Sequence, residues 1–278
     1  TSYSGCRTAT DFIIQPGPTV TQPDDYTSSA CNFTNQAELE IEFANWLAEF
    51  SVSGGDDPQG SFTGTPAPPQ LCNGGTVSVT FNYTDFCASG SVTRTFTINP
   101  PPALSILHPN DAEYTACDFA NQAAVDAAFA TWLAGFSVTG GCNPQATFGG
   151  STPVAPALCG GSVTVTYNVT DLCETGSESA TFTINDASNV VLSSPGNVTY
   201  STCDFQNQSE VNAAFNNWLT GFTTSGGCST ASYGNPTAPL LCSGGTTEVT
   251  YLYSDICTTT SESASFTLTA PSSLVLEK

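Results

Sequence analysis

Apolar residues recur on two periods along this chain, and the two alternate three times. In the clearest case Val163, Val165, Tyr167 and Val169 alternate with Thr and Asn, Ala180, Phe182 and Ile184 alternate with Thr, and C-E-T-G-S joins the runs. Alternation on both sides of a turn predicts an antiparallel hairpin with one buried face, and the outward Thr residues suit its solvated side. Upstream, Val125, Phe129, Trp132, Leu133 and Phe136 fall at i, i+4, i+7, i+8 and i+11, the stripe of an amphipathic helix. Leu39, Phe43, Trp46, Leu47 and Phe50 repeat the stripe, as do Val211, Phe215, Trp218, Leu219 and Phe222. Asn35, Asn121 and Asn207 are its expected N-caps, with Glu38 and Glu210 as capping-box partners. Gly135 and Gly221 suit the helix stop, although the first copy has Glu49 there. The Trp and Phe residues read as core. Between helix and hairpin, residues 137–161 read as irregular chain or short strands. Arg94 takes the inward place of Ala180 and Ala264, which points to a position at the end of the sheet.

From Cys31 to Cys117 to Cys203 the step is 86 residues each time, so the chain is an array of like modules. The expected divisions are 16–98, 99–185 and 186–269. Residues 1–15 read as the tail of a preceding module and 270–278 as the first strand of a following one, as in a window cut from a longer array. Pro100, Pro101 and Pro102 stiffen the first link.

Charge narrows the partners. Twenty-four acidic residues stand against Arg7, Arg94 and Lys278, a net charge of −21. So few cations cannot neutralise phosphates, which makes nucleic acid and anionic membrane surfaces poor partners. A cation or a basic partner fits the charge. Twelve cysteines at repeated positions read as a disulfide framework outside the reducing cytosol. Zinc is the competing reading, but no CxxC occurs and His108 is the single histidine. No run of eighteen apolar residues predicts membrane insertion, and without a leader-like segment the chain reads as a mature or excised segment.

The ending V-T-V-T-Y-N-V-T-D followed by S-A-T-F-T-I resembles the last strands of hyalin-repeat (HYR) modules. With C-D-F-A-N-Q, W-L-A-G-F-S-V-T-G-G-C and L-C-G-G the chain is more similar still to the four-cysteine HYR-like modules of giant Bacteroidota surface adhesins, gliding-motility adhesins included. The resemblance covers all three units. It implies a mainly β fold of tandem immunoglobulin-like β-sandwich modules, each with one inserted amphipathic α-helix and disulfides. It further implies export and a place in a cell-surface filament or adhesin, and it supplies no catalytic residues. The first module departs from the pattern, with Asp56 where Cys142 and Cys228 stand.

The four cysteine positions of a module are those of Cys117, Cys142, Cys159 and Cys173. A straight strand over 163–169 would hold the third and fourth more than about 20 Å apart, beyond the reach of a disulfide. Within a module this leaves first with fourth and second with third, or first with third and second with fourth. The fourth lies at the end facing the previous module and the third at the opposite end. The expected pairs are Cys117 with Cys173, Cys142 with Cys159, Cys203 with Cys257, Cys228 with Cys242, and Cys31 with Cys87. Cys72 is then left without a partner, and Cys6 lies too far away to serve.

Asp85, Asp171 and Asp255 recur before the fourth cysteine, where a turn cap is the ordinary reading. Calcium at the module junctions is the alternative, with Asp24, Asp25, Asp111 and Glu113 as candidate ligands, although no calcium-loop motif supports it. No other cofactor is expected. No hydrolase constellation is visible, since His108 occurs once, in a linker, and the chain reads as a non-enzyme. The outward Thr rows, such as Thr80 and Thr84 with Thr93, Thr95 and Thr97, read as solvated β-surface, with sugar binding as the alternative. N-x-S/T sequons begin at Asn32, Asn82, Asn168, Asn197 and Asn207. Together these features point to a stiff adhesive or filament-forming repeat segment whose partners are its neighbouring modules, like chains and surface glycans. The second reading is a string of carbohydrate-binding modules from a secreted enzyme.

Overall fold

A computed structural model of the chain describes residues 17–86 and 88–270. The readings placed on 1–15, on 271–278 and on Cys6 and Cys87 lie outside the described residues. The rest groups into two compact units. The first holds the chain to Leu107 together with Ser137–Thr147 and Tyr167–Glu178; the second holds His108–Phe136, Phe148–Thr166 and the chain from Ser179. The units therefore do not follow the sequence repeats, because three segments of the second repeat, 99–107, 137–147 and 167–178, fold with the first.

In the first unit, β1 (Thr19–Thr21) pairs antiparallel with β3 (Ser51–Ser53) in a two-stranded ribbon. A four-stranded sheet runs in the order β2 (Tyr26–Ser29), β6 (Ser89–Asn99), β5 (Gly75–Thr84), β4 (Gln59–Phe62). Its hairpin β5–β6 is the one read from alternation, with Val79, Phe81, Phe96 and Ile98 buried. The strand β2 lies parallel to β6, Tyr26 opposite Phe96. The helix α1 (Gln36–Leu47) sends Leu39, Phe43 and Trp46 into the same core. Phe43 and Trp46 meet the Phe96 ring edge-on at 4.9 and 5.3 Å between centroids. The Trp46 indole N–H donates to the Asp24 carbonyl at 2.9 Å, so the aromatic is packed and its one polar atom satisfied. Sheet on one side, helix and ribbon on the other, enclose one core, the plan of an immunoglobulin-like β-sandwich with an inserted helix. This unit also contains the ribbon of β7 (Ser105–Leu107) and β9 (Ser137–Thr139).

The second unit repeats the plan. There β8 (Ala112–Thr115) pairs in parallel with β12 (Thr175–Asn185), Phe182 opposite Ala112. The helix α2 (Gln122–Leu133) buries Val125 and Phe129. The strands β10 (Gln145–Phe148) and β11 (Gly161–Thr170), whose residues 145–147 and 167–170 belong to the first unit, complete the second repeat. In the third, β13 (Val191–Ser193) pairs with β15 (Thr223–Ser225), and β14 (Val198–Ser201), β17 (Thr259–Thr269) and β16 (Gly245–Ser254) form a sheet in that order. The helix α3 (Gln208–Leu219) packs Val211, Phe215, Trp218 and Leu219 onto it. The loop read as irregular chain or short strands contains short strands: β9 and β10.

Three local expectations change. The Asn caps accept the Glu38, Ala124 and Glu210 amides at 3.0–3.1 Å as expected, but Glu38 and Glu210 reach one residue beyond the cap, to the Thr34 and Gln206 amides. Gly135 and Gly221 do not adopt the left-handed conformation of a glycine helix stop. Their bareness instead admits a proline, since a Cβ on Gly221 would lie 2.5 Å from the Pro195 Cβ and one on Gly135 3.0 Å from that of Pro109. Glu49 can stand at the equivalent place of the first repeat because the position does not require a left-handed backbone. Arg94 lies in the middle of β6 opposite Val79, not at the sheet's end, and its Nε donates to the Pro23 carbonyl at 2.9 Å.

Candidate functional site

The cysteines occupy two ends of each repeat, and different side chains organise each end. The first cysteine sits in a 3₁₀ turn that follows the short parallel strand: Ala30–Asn32, Ala116–Asp118 and Thr202–Asp204. The third sits in the loop that opens the hairpin. A glutamine just inside the helix ties that loop down by both ends of its amide. Gln36 Oε1 accepts the Leu71 N–H at 2.7 Å while its Nε2 donates to the Pro69 carbonyl at 3.3 Å. Gln122 holds Leu158 and Pro156 in the same way, and Gln208 holds Leu241 and Pro239. The residue after each clasped leucine is the third cysteine: Cys72, Cys159 or Cys242. These glutamines were not singled out from the sequence, although N-Q recurs in all three copies.

The opposite end is organised by the repeated aspartate. Asp171 accepts the Cys142 and Asn143 amides at 3.0 and 2.9 Å. Its own N–H donates to the Glu174 carbonyl at 2.8 Å and so closes the hairpin turn. Desolvation works against its ionisation, but the amides of Asn143, Cys142, Leu172 and Cys173 together hold its carboxyl below the usual range. Asp255 binds the Cys228, Cys257 and Thr258 amides and also receives the Tyr253 hydroxyl. That hydroxyl, then the amides, lower it to about 2. Asp85 holds the Asp56 and Phe86 amides at 2.7 and 2.6 Å, so the clasp survives where the second cysteine is replaced. The turn-capping reading of this aspartate therefore holds, with the addition that it also grips the second cysteine position.

The bridges run from one end of a repeat to the other end of the next. Cys31 is bonded to Cys142 and Cys72 to Cys173, with Cα–Cα distances of 4.7 and 5.4 Å. Cys117 is bonded to Cys228 and Cys159 to Cys257, at 5.0 and 5.5 Å. First joins second, and third joins fourth, always one repeat on. This corrects the within-module pairs Cys117–Cys173, Cys142–Cys159, Cys203–Cys257, Cys228–Cys242 and Cys31–Cys87. The physical reason is the length of the hairpin: it carries third and fourth to opposite ends, and the glutamine clasp and the parallel strand keep the first beside the third. Cys72, expected to lack a partner, has one. Among the described residues Cys203 and Cys242 are unpaired and exposed. Beside the bridges, Leu172 packs against the core of the first unit, whereas its counterparts Phe86 and Ile256 are 85% and 55% exposed.

The calcium candidates serve as backbone partners. Asp25 accepts the Thr95 N–H and Asp111 the Thr181 N–H, both at 2.7 Å, and in the third repeat Asn197 does the same for Ser265, so the role needs no charge. Glu113 accepts from the Asn185 amide at 3.1 Å, and the Asp24 carbonyl holds Trp46. Among the described residues no three His, Cys, Asp or Glu side chains gather as a metal site. The outward hydroxyls pair with one another across strands, Thr76 with Thr97, Thr80 with Thr93 and Thr246 with Thr267, at 2.9–3.0 Å. Asn207 is engaged as a helix cap. A cleft of about 470 Å³ beside the Cys159–Cys257 bridge is lined by Asp186, Ser188, Asn189, Asp255 and Thr258, with Asp255 already committed to its clasp. Among the described residues, no helix is long and apolar enough to cross a membrane.

No family model matches this chain, and no curated protein matches it. Among solved structures it is similar to the protocadherin GammaB4 extracellular domain (10% identity, TM-score 0.32, 92% of this chain and 51% of that one). It is similar also to titin domains I67–I69 in an E-to-A mutated variant (8%, 0.28, 91% and 99%) and to Sidekick-1 immunoglobulin domains 1–5 (7%, 0.28, 94% and 60%). The chain thus spans about half the length of the protocadherin structure. At these overlaps the likenesses do not bear on function.

Proposed function

We propose that this chain is a run of HYR-like four-cysteine modules, 16–98, 99–185 and 186–269, from a large secreted adhesin or filament on the surface of a Bacteroidota cell, of the kind used in gliding motility. In this reading it is a stiff, extended stalk whose partners are its neighbouring modules and like chains, with no catalytic role. Disulfides persist in oxidising surroundings, which supports an extracellular setting.

The observation that carries the reading is the double bridge between consecutive repeats. Tension applied along the chain is diverted through sulfur: from residue 17 to Cys31, across to Cys142, along to Cys159, across to Cys257 and on to residue 270. That route has about 44 backbone steps and, at about 3.5 Å each, extends to roughly 150 Å. With the bridges reduced, the same 17–270 span extends to roughly 890 Å. A repeat built this way limits how far the chain lengthens when its cores open, which suits a tether under load. Single-molecule pulling tests the reading: total extension of this span should stay near the shorter figure when oxidised and approach the longer one in reductant. A long extension in the oxidised protein would overturn it. A glycan array probed with the isolated chain should be silent; reproducible glycan binding would assign the chain to a carbohydrate-binding string instead.

A further inference from the structure

Cys203 and Cys242 occupy the same two places as Cys31 with Cys72 and Cys117 with Cys159. Cys203 lies in the 3₁₀ turn Thr202–Asp204, as Cys31 and Cys117 lie in theirs. Cys242 follows a leucine clasped by Gln208, whose Oε1 accepts the Leu241 N–H at 2.8 Å and whose Nε2 donates to the Pro239 carbonyl at 3.1 Å. The clasp is thus fully formed at an end where no bridge has been made, and both thiols are exposed. At the two equivalent ends each of these positions is bonded to the next repeat, and never to its neighbour at the same end.

We infer that the Cys203–Cys242 end of the third repeat is a preformed coupling site for one further repeat of the same polypeptide, taking its second and fourth cysteines in two disulfides. The occupant carries the D-x-C turn with an apolar residue between aspartate and cysteine, as Leu172 does where it packs against the first core. A second copy of this chain fits less well, because Asp56 stands at its leading second position and offers Cys203 no sulfur. Each bond forms as two thiols lose two protons and two electrons to an exported protein disulfide, which becomes a dithiol. The inference rests on the bridge pattern and not on the adhesin reading, so its failure would leave the pulling result untouched.

The test is alkylation and disulfide mapping of two proteins under a glutathione redox buffer. In the chain itself, iodoacetamide should modify Cys203 and Cys242. In a chain where residues 186–278 are repeated directly after Thr269, alkylation of both should be lost. Mapping should then join Cys203 to the added copy of Cys228 and Cys242 to the added copy of Cys257. A control extension carrying Cys228→Ser and Cys257→Ser in the added copy should restore alkylation, with the four existing bridges mapped intact. Any of four results would overturn the inference: persistent alkylation in the cysteine-bearing extension, a Cys203–Cys242 bond, pairing within the added copy, or covalent oligomers of the unextended chain.

Discussion

At the scale of single residues, equivalent positions carry different side chains from copy to copy, and in the third copy this adds a hydroxyl to the aspartate clasp. Tyr253 stands where Val169 stands in the second repeat; its hydroxyl accepts the Cys228 and Ser229 amides at 2.7 and 3.1 Å while donating to Asp255. Burial, and then this bond to a carboxylate, push the phenol's own ionisation up. Asp255, held at about 2, sits below the ordinary aspartate value of about 3.9. A depressed carboxyl stabilises the folded state fully above the unfolded value, and the contribution disappears as pH falls through the folded value. The window for this group is therefore about pH 4 down to about 2. Tyr253→Phe removes the largest cause of the shift, so the Asp255 carboxyl should titrate closer to its ordinary value, read by carbon NMR of the carboxyl group. The acid-unfolding limb should begin at higher pH. An unchanged Asp255 titration would show that the hydroxyl is not what holds it down.

At the scale of elements, the helix serves both the core and the coupling end. Its apolar stripe was legible from spacing because burial on one face imposes the 3.6-residue period, and the strands were legible because a half-buried sheet imposes the period of two. The glutamine at the helix start left no such trace, since a polar residue facing a loop has no periodic signature. Replacing Gln122 by Ala breaks its bonds to Leu158 and Pro156 and leaves a partly buried amide unpaired. That should cost about 1–3 kcal/mol, measured by denaturant unfolding with the bridges intact. It should also make the Cys159–Cys257 bridge open sooner in dithiothreitol, because the loop beneath it is released. Loss of stability without faster reduction would confine the glutamine to the fold.

At the scale of the whole molecule, connectivity decides the response to force. Removing one bridge reroutes tension and leaves a measurable length. With Cys159→Ser and Cys257→Ser, the shortest route passes from Cys31 to Cys142, back to Cys117, across to Cys228 and on to residue 270. The span from 17 to 270 should then extend to roughly 280 Å by the same conversion, nearly double the fully bridged figure. Pulling the double variant beside the parent chain checks this. Each bridge also closes a loop of about 100–110 residues, worth roughly 5 kcal/mol in the loop-closure model for a bridge taken alone.

The sequence by itself determined the repeat, the helix and hairpin within it, the aromatic core and the capping role of the recurring aspartate, because each leaves a local pattern of spacing. It also showed that the third and fourth cysteines cannot meet across one hairpin. Which cysteines do meet was decided by tertiary structure alone. Disulfide partners are chosen by proximity in space, and the loops clasped by Gln36 and Gln122 keep the first and third cysteines together at one end of a repeat, within reach of the next repeat's second and fourth.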